Sequence, residues 1–245
     1  MSLWELHQGV THVDLTHEID ENSPYWGGMP GGAIELNTTI LDFDSPYNLR
    51  IQRQTVPGQF GTHIDFPGHF HVDGALAKDF GIDHAVLPLV VIDKHADVAE
   101  NADYAVSVAD IDAYEEQYGA IPTGAFVAFR SDWHKRWPDG GALANADENG
   151  ALHSPGWSAD AVTALHERGV VGIGHETLDT DPAVDCAAAG DLAIERYVLE
   201  LGLIQVELLA NLDQVPVHGA LISIGWARIA DANGLPVRAW ATFRQ

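Results

Sequence analysis

The densest run of ligand-type side chains in the sequence is Gly58-Gln-Phe-Gly-Thr-His-Ile-Asp-Phe-Pro-Gly-His-Phe-His-Val-Asp-Gly74. Along an extended backbone, side chains alternate faces. Gln59, Gly61, His63 and Asp65 therefore share one side, while Phe60, Thr62 and Ile64 take the other. That polar face gathers an amide oxygen, an imidazole nitrogen and a carboxylate, with Gly61 leaving room between them, which is a metal-ligand spacing. Pro67 stops the strand, and the turn it sets returns His69 and His71 towards the same region. A histidine beside a metal but not bound to it is placed to act as a general base, the role expected of His69.

The elements that must hold this stretch are mostly short strands. Gly9 to His17 alternates as a strand, and Glu21 to Gly32 is rich in turn formers and reads as a loop. Residues 33 to 56 carry two strands, of which Ala33 to Leu41 alternates more clearly. Ala85 to Asp93 and Gly124 to Arg130 are apolar runs suited to strands buried on both faces. Ser107 to Tyr118 has helical spacing with Ser107 as N-cap and Asp110 three residues on. A second helix is expected to start after Ser158 and end at Gly169, with a short strand, Val170 to Ile173, behind it. Gly140 to Gly150 reads as a polar surface loop, and His134 as a solvated loop histidine. Ala220 to Ile229 and Leu235 to Ala241 close the chain as strands. Short strands with two clear helices indicate a β-rich α/β domain rather than a doubly wound sheet.

Composition limits the partners. The chain has 245 residues, 46% of them hydrophobic, enough for a sizeable core. Its formal net charge is −24 and its only lysines are Lys78, Lys94 and Lys135, which argues against nucleic acid or an anionic membrane as partner. One explanation for so acidic a surface is a cytoplasm with molar salt, where self-repulsion is screened. Cys186 is the only cysteine, so neither an intrachain disulfide nor a cysteine-based zinc site is available. No basic segment followed by an apolar core opens the chain, and runs such as Val86 to Ile92 are too short to span a bilayer. The expected location is therefore the cytoplasm.

The run Gly61-Thr-His-Ile-Asp65, followed by Pro67 and His69, resembles the signature of the metal-dependent cyclase family, which includes bacterial kynurenine formamidases and isatin hydrolases. That signature reads His-x-Gly-Thr-His-x-Asp-x-Pro-x-His, and six of its seven fixed positions stand here. Gln59 occupies the place of the first histidine, a metal ligand in relatives. The resemblance runs over nearly the whole of residues 1–245 and implies one domain with the swivelling β/β/α arrangement, in a homodimer or homotetramer. Relatives carry a Pro-x-Trp loop that reaches the substrate; here Tyr25 and Trp26 would stack on a flat ring or pack at an oligomer interface. Thr177 and Asp179 fit a further family segment. His175 and Glu176 do not, and either line the site or belong to a capped turn. Where relatives have a metal-binding histidine and, twelve positions on, a glutamate, this chain has Glu195 and Glu207. Glu207 lies in the apolar run Leu203 to Leu209, where an unpaired carboxylate would be costly. Glu195 either pairs with Arg196 or serves a second metal.

Losing both family imidazoles, at Gln59 and Glu195, favours one divalent metal held by Gln59, His63, Asp65 and Glu207. So oxygen-rich a set suits Mn²⁺ first, with Zn²⁺ competing and Mg²⁺ as a further option. The resemblance implies hydrolysis of a small aryl formamide or of a cyclic amide such as isatin, with His69 moving the proton. Two alternatives stand beside it: a metal-dependent dehydratase or cyclase, and a member that binds a small molecule or ion without turnover.

Overall fold

The computed structural model describes residues 8–26, 37–42 and 50–244. Its strands are β1 (Thr11–Asp14), β2 (Asn37–Asp42), β3 (Arg50–Thr55), β4 (His63–Asp65), β5 (Val86–Asp93), β6 (Ala105–Val106), β7 (Phe126–Arg130), β8 (Gly156–Trp157), β9 (Gly172–His175), β10 (Ile204–Glu207), β11 (Ala220–Gly225), β12 (Gly234–Pro236) and β13 (Arg238–Phe243). The helices are α1 (His95–Glu100), α2 (Val108–Tyr118), α3 (Gly140–Ala144), α4 (Ala159–Glu167), α5 (Ala183–Ala189) and α6 (Ala193–Glu200). The strand-rich α/β class is as expected. Of the strand expected at Ala33 to Leu41, residues 33–36 lie outside the described residues, as do 27–32 of the loop before it.

Nine strands form one mixed sheet in the order β1-β13-β11-β5-β7-β9-β10-β4-β12. The centre, β5-β7-β9-β10, is parallel, and antiparallel strands extend it on both sides. Both faces of the centre are covered. Leu87, Leu89 and Val91 of β5 join one core cluster with Ile64, Val206 and Ile222, while Val90 and Ile92 join another with Ile111, Leu165 and Val198 of the helices. A continuous apolar run is what a strand between two cores requires.

Both legible helices end where their caps predict. The Asp110 carboxylate accepts from Ser107 N at 2.8 Å and from Ser107 Oγ at 2.7 Å, and the Ser158 hydroxyl accepts from Ala161 N. Gly169, just past α4, adopts φ +78°. The four remaining helices span five to eight residues each, too few turns for a 3.6-residue period to stand out. The surface loop expected at 140–150 instead opens with α3, whose Leu143 is buried and accepts a hydrogen bond from Trp133 Nε1.

Candidate metal centre

Strand register assembles the site. β4 pairs antiparallel with β10, placing His63 opposite Glu207 and Asp65 opposite Gln205. Ile64 and Val206, also opposite, point into the core, so all four polar side chains face the other way. Gly61 adopts φ +62° in the turn before β4, and a Cβ there would overlap the Ile19 side chain.

His63 is buried. Its Nδ1 lies 2.8 Å from Gly61 O; a carbonyl only accepts, so Nδ1 carries a hydrogen and Nε2 is the ring atom turned to the carboxylates. Among the described residues that Nε2 has no hydrogen-bond partner, and it stands 3.3 Å from both Asp65 Oδ2 and Glu207 Oε2. Burial would lower the His63 pKa, but Asp65 and then Glu207 outweigh it and hold it well above the ordinary imidazole value. Burial would likewise raise both carboxyl groups; His63 holds Asp65 below its usual range, and His175 followed by His63 does the same for Glu207. A buried imidazole nitrogen held between two ionised carboxylates fits a divalent cation, which would take the place of a proton among His63, Asp65 and Glu207.

The cluster opens into a cavity of about 550 Å³ with Tyr25, Trp26, Phe70, Leu178 and Leu192 on its walls. Gln59, His63, His69, Asp179, Asp191, Glu195 and Glu207 supply the polar lining, and among the described residues no lysine or arginine lines it. Asp179 is pushed up to about 7 by burial, then by Glu207 and Asp181. Burial, then Glu207 and Asp65, raise Glu195 well above its ordinary value. The gathered carboxyl groups make the site a cation attractor.

The structure brings Tyr25, Trp26, Gln59, His63, Asp65, His69, Glu195 and Glu207 to one place. Gln59 donates from Nε2 to Asp65 Oδ1 at 2.9 Å. Only the amide nitrogen can face a carboxylate, which leaves Oε1 as the atom able to ligate. Glu195 does not pair with Arg196. It is buried with Oε1 3.7 Å from His69 Nε2, while Arg196 pairs with Asp191.

His175 and Glu176 are not brought to the cavity, although both are fully buried. His175 turns towards Glu207 from behind, and Glu176 Oε2 accepts from Ser131 N and Trp133 N. His134 is buried rather than solvated, its Nδ1 2.7 Å from Glu176 Oε1. Asp132, His134 and Glu176 cluster as metal ligands could, but these hydrogen bonds already commit the Glu176 carboxylate to holding the loop after β7.

Gln205 and Gly234 were missed by sequence reasoning. Gln205 Nε2 donates to Glu207 Oε1 at 3.1 Å and lies 3.4 Å from Asp65 Oδ2, separating two carboxylates. The period-two rule applied backwards from Glu207 would have found it. Gly234 pairs with Asp65 from β12, and a Cβ on it would overlap Gln59 Nε2 and Asp65 Oδ1.

Comparison with known proteins agrees with this geometry. Residues 13–182 match the family model Cyclase, "Putative cyclase". The isatin hydrolase of Roseibium aggregatum is 32% identical over 243 residues, covering 95% of this chain and 91% of that protein. Isatin hydrolase A from Labrenzia aggregata, bound to benzyl benzoate, has TM-score 0.89 and 28% identity, with 100% of both chains covered. An isatin hydrolase bound to the product analogue thioisatinate has TM-score 0.87 and 26% identity, covering 98% of this chain and 95% of that one. The family model spans more than half of the chain and the Roseibium relative nearly all of it, so this protein belongs to the cyclase family.

Proposed function

We propose that this chain is a metal-dependent amide hydrolase whose substrate is a small neutral aryl amide, cyclic as in isatin or open as in an aryl formamide. Its likeness to isatin hydrolases and its His/Asp/Glu cluster make it a divalent-metal enzyme acting on an amide C–N bond. The observation that carries the reading is the Nε2 of buried His63, 3.3 Å from two carboxylate oxygens and without a hydrogen-bond partner among the described residues. His63, Asp65 and Glu207 would hold the ion, with Gln59 Oε1 as a fourth donor. When bound, it supplies Lewis acidity towards the carbonyl oxygen and lowers the pKa of water. One ion, Mn²⁺ first, suits this oxygen-rich set.

The protein's own groups do the rest. His69, with Nε2 facing the cluster, takes the proton from the attacking water and returns it to the leaving nitrogen. Trp26 and Tyr25 offer faces on which a flat ring can stack, and the absence of lysine and arginine from the lining among the described residues favours an uncharged substrate. Elemental analysis beside hydrolysis of isatin and aryl formamides, in the parent and in His63→Ala and His69→Ala, tests the reading. About one metal per chain, lost in His63→Ala, with activity lost in both variants, is expected; a metal-free parent inert towards every amide offered would sink it.

We further propose a homo-oligomer working in the cytoplasm, with one domain across residues 1–245 and neither nucleic acid nor membrane as partner. The hairpin β2–β3 supports an oligomer: it forms its own two-stranded sheet, and residues 51–55 are all exposed. An isolated hairpin is marginal in water and gains from a cover. Among the described residues no helix is long and apolar enough to cross a membrane. The net charge of −24 supports a high-salt setting, for which the melting temperature is expected to rise between low and molar KCl.

A further inference from the structure

The ring of His69 is aimed by packing. Its Nε2 stands 3.7 Å from Glu195 Oε1, beyond hydrogen-bond distance. The ring meets the Phe70 ring edge-to-face, with centroids 4.8 Å apart and an interplanar angle of 77°. Phe70 in turn lines the cavity, so where its ring sits decides where the imidazole can sit.

A single residue of α6 holds this segment from two sides. The Arg196 guanidinium lies over the Phe70 ring, 4.6 Å from its centroid, and is not itself among the groups lining the cavity. It is fixed in place by Asp191: Nε donates to Oδ2 at 3.1 Å and Nη2 to Oδ1 at 2.6 Å, a fork on a carboxylate. The Arg196 backbone oxygen lies 3.2 Å from His71 Nε2, and since a carbonyl only accepts, the imidazole donates. Glu195 precedes Arg196 in α6, and the start of that helix is anchored by Asp181, which accepts from Ile194 N and Glu195 N at 2.9 Å each. The turn carrying His69 and the helix carrying Glu195 are therefore joined at Arg196.

We propose that Arg196 is a positioning residue for His69: its guanidinium, locked by Asp191, pins the Phe70 ring and through it the direction of the imidazole. This rests on the reading of His69 as the group that moves the proton. A displacement of about 1 Å at a reacting group can lower the rate about a hundredfold, so a side chain outside the cavity can matter to the chemistry. Lysine cannot stand in, because a compact ammonium offers neither the fork that Asp191 holds nor a flat face for Phe70.

The test is steady-state hydrolysis of isatin and of an aryl formamide by Mn²⁺-loaded parent, Arg196→Met, Arg196→Lys, Phe70→Leu and the Arg196→Met/Phe70→Leu double variant, beside Mn²⁺ titration and thermal melting of each. Arg196→Met is expected to lower kcat about tenfold with KM and Mn²⁺ affinity each within about threefold of the parent, since substrate and metal groups are untouched. Arg196→Lys should lose nearly as much, and the double variant should fall no further than Phe70→Leu alone, because the guanidinium acts through that ring. A kcat for Arg196→Met within twofold of the parent would overturn the role of Arg196 and leave the amidase reading intact. So would full activity in Arg196→Lys, which would make charge alone the contribution, or additive losses in the double variant. A fall in Mn²⁺ affinity matching the fall in kcat would mark a merely structural role and overturn it as well. A parent inert towards both amides would overturn the amidase reading and this inference with it. Should Arg196→Met fail to fold, Arg196→Lys carries the test by the same criteria.

Discussion

Glu195 Oε1 lies 3.7 Å from His69 Nε2, too far for a hydrogen bond and too near to admit a water between them. Whatever reacts in the cavity therefore meets both groups together. Neither is among the two side chains, Asp65 and Glu207, that converge on His63 Nε2, and this separates two roles for Glu195. Glu195→Ala is expected to keep about one metal per chain, because His63, Asp65 and Glu207 are untouched, and to lower kcat by about tenfold or more through the disturbed neighbour of the base. Glu195→His, restoring the imidazole of relatives, is expected to raise metal content above one. Elemental analysis of both variants decides; metal lost from Glu195→Ala would make Glu195 a ligand.

His63→Ala should be more damaging than the loss of one ligand. Asp65 and Glu207 are both buried; His63 holds the Asp65 carboxyl ionised and, after His175, helps to do the same for Glu207. Removing one partner of a buried charged cluster costs about 3 kcal/mol or more. Urea denaturation of the metal-free variant should show that loss, and metal content should fall close to zero. Unchanged stability would mean that the carboxyl groups find another partner.

Gly234 makes a different prediction, since it carries no chemistry at all. A methyl group there would overlap Gln59 Nε2 and Asp65 Oδ1, and both would have to move. Overpacking of this kind costs about 1–3 kcal/mol, and displacing a ligand's support about tenfold or more in metal affinity. Gly234→Ala should therefore weaken Mn²⁺ binding with intact secondary structure, read by titration beside circular dichroism. Parent-like affinity would show that β12 yields instead.

These residues also mark what could be read from the chain alone. His63, Asp65 and His69 were legible because ligand spacing is local, and Glu207 because a carboxylate in an apolar strand needs a reason to be there. The capped helices α2 and α4 were legible because each cap lies within three residues of what it caps. Gly234 was not, since its constraint comes from Gln59 and Asp65, far away in sequence and adjacent only through β12 pairing. His175 and Glu176 were expected to line the site, but His175 ends β9 and turns towards Glu207, while Glu176, one residue past the strand, accepts from the loop after β7. Their separate partners, Glu207 and the loop after β7, become visible only once β9 is seated between β10 and β7.

The last prediction concerns pH and lies outside the cavity. The His17 ring stacks on Trp137 with centroids 4.5 Å apart, and its buried Nε2 has no hydrogen-bond partner among the described residues. Burial, then the neighbouring His134, lowers its pKa from 6.5 to about 4. Between those values the unfolded chain binds the proton and the folded chain does not, so stability falls as pH drops through that window. The loss amounts to about 2 kcal/mol by pH 5 and about 3 by pH 4. His17→Phe keeps a ring for Trp137 and has nothing to protonate. Urea denaturation at pH 7.5 and pH 5 should show the parent losing about 2 kcal/mol more than the variant between the two. Equal losses in both proteins would place the acid sensitivity elsewhere and mean that His17 accepts its proton without leaving the fold.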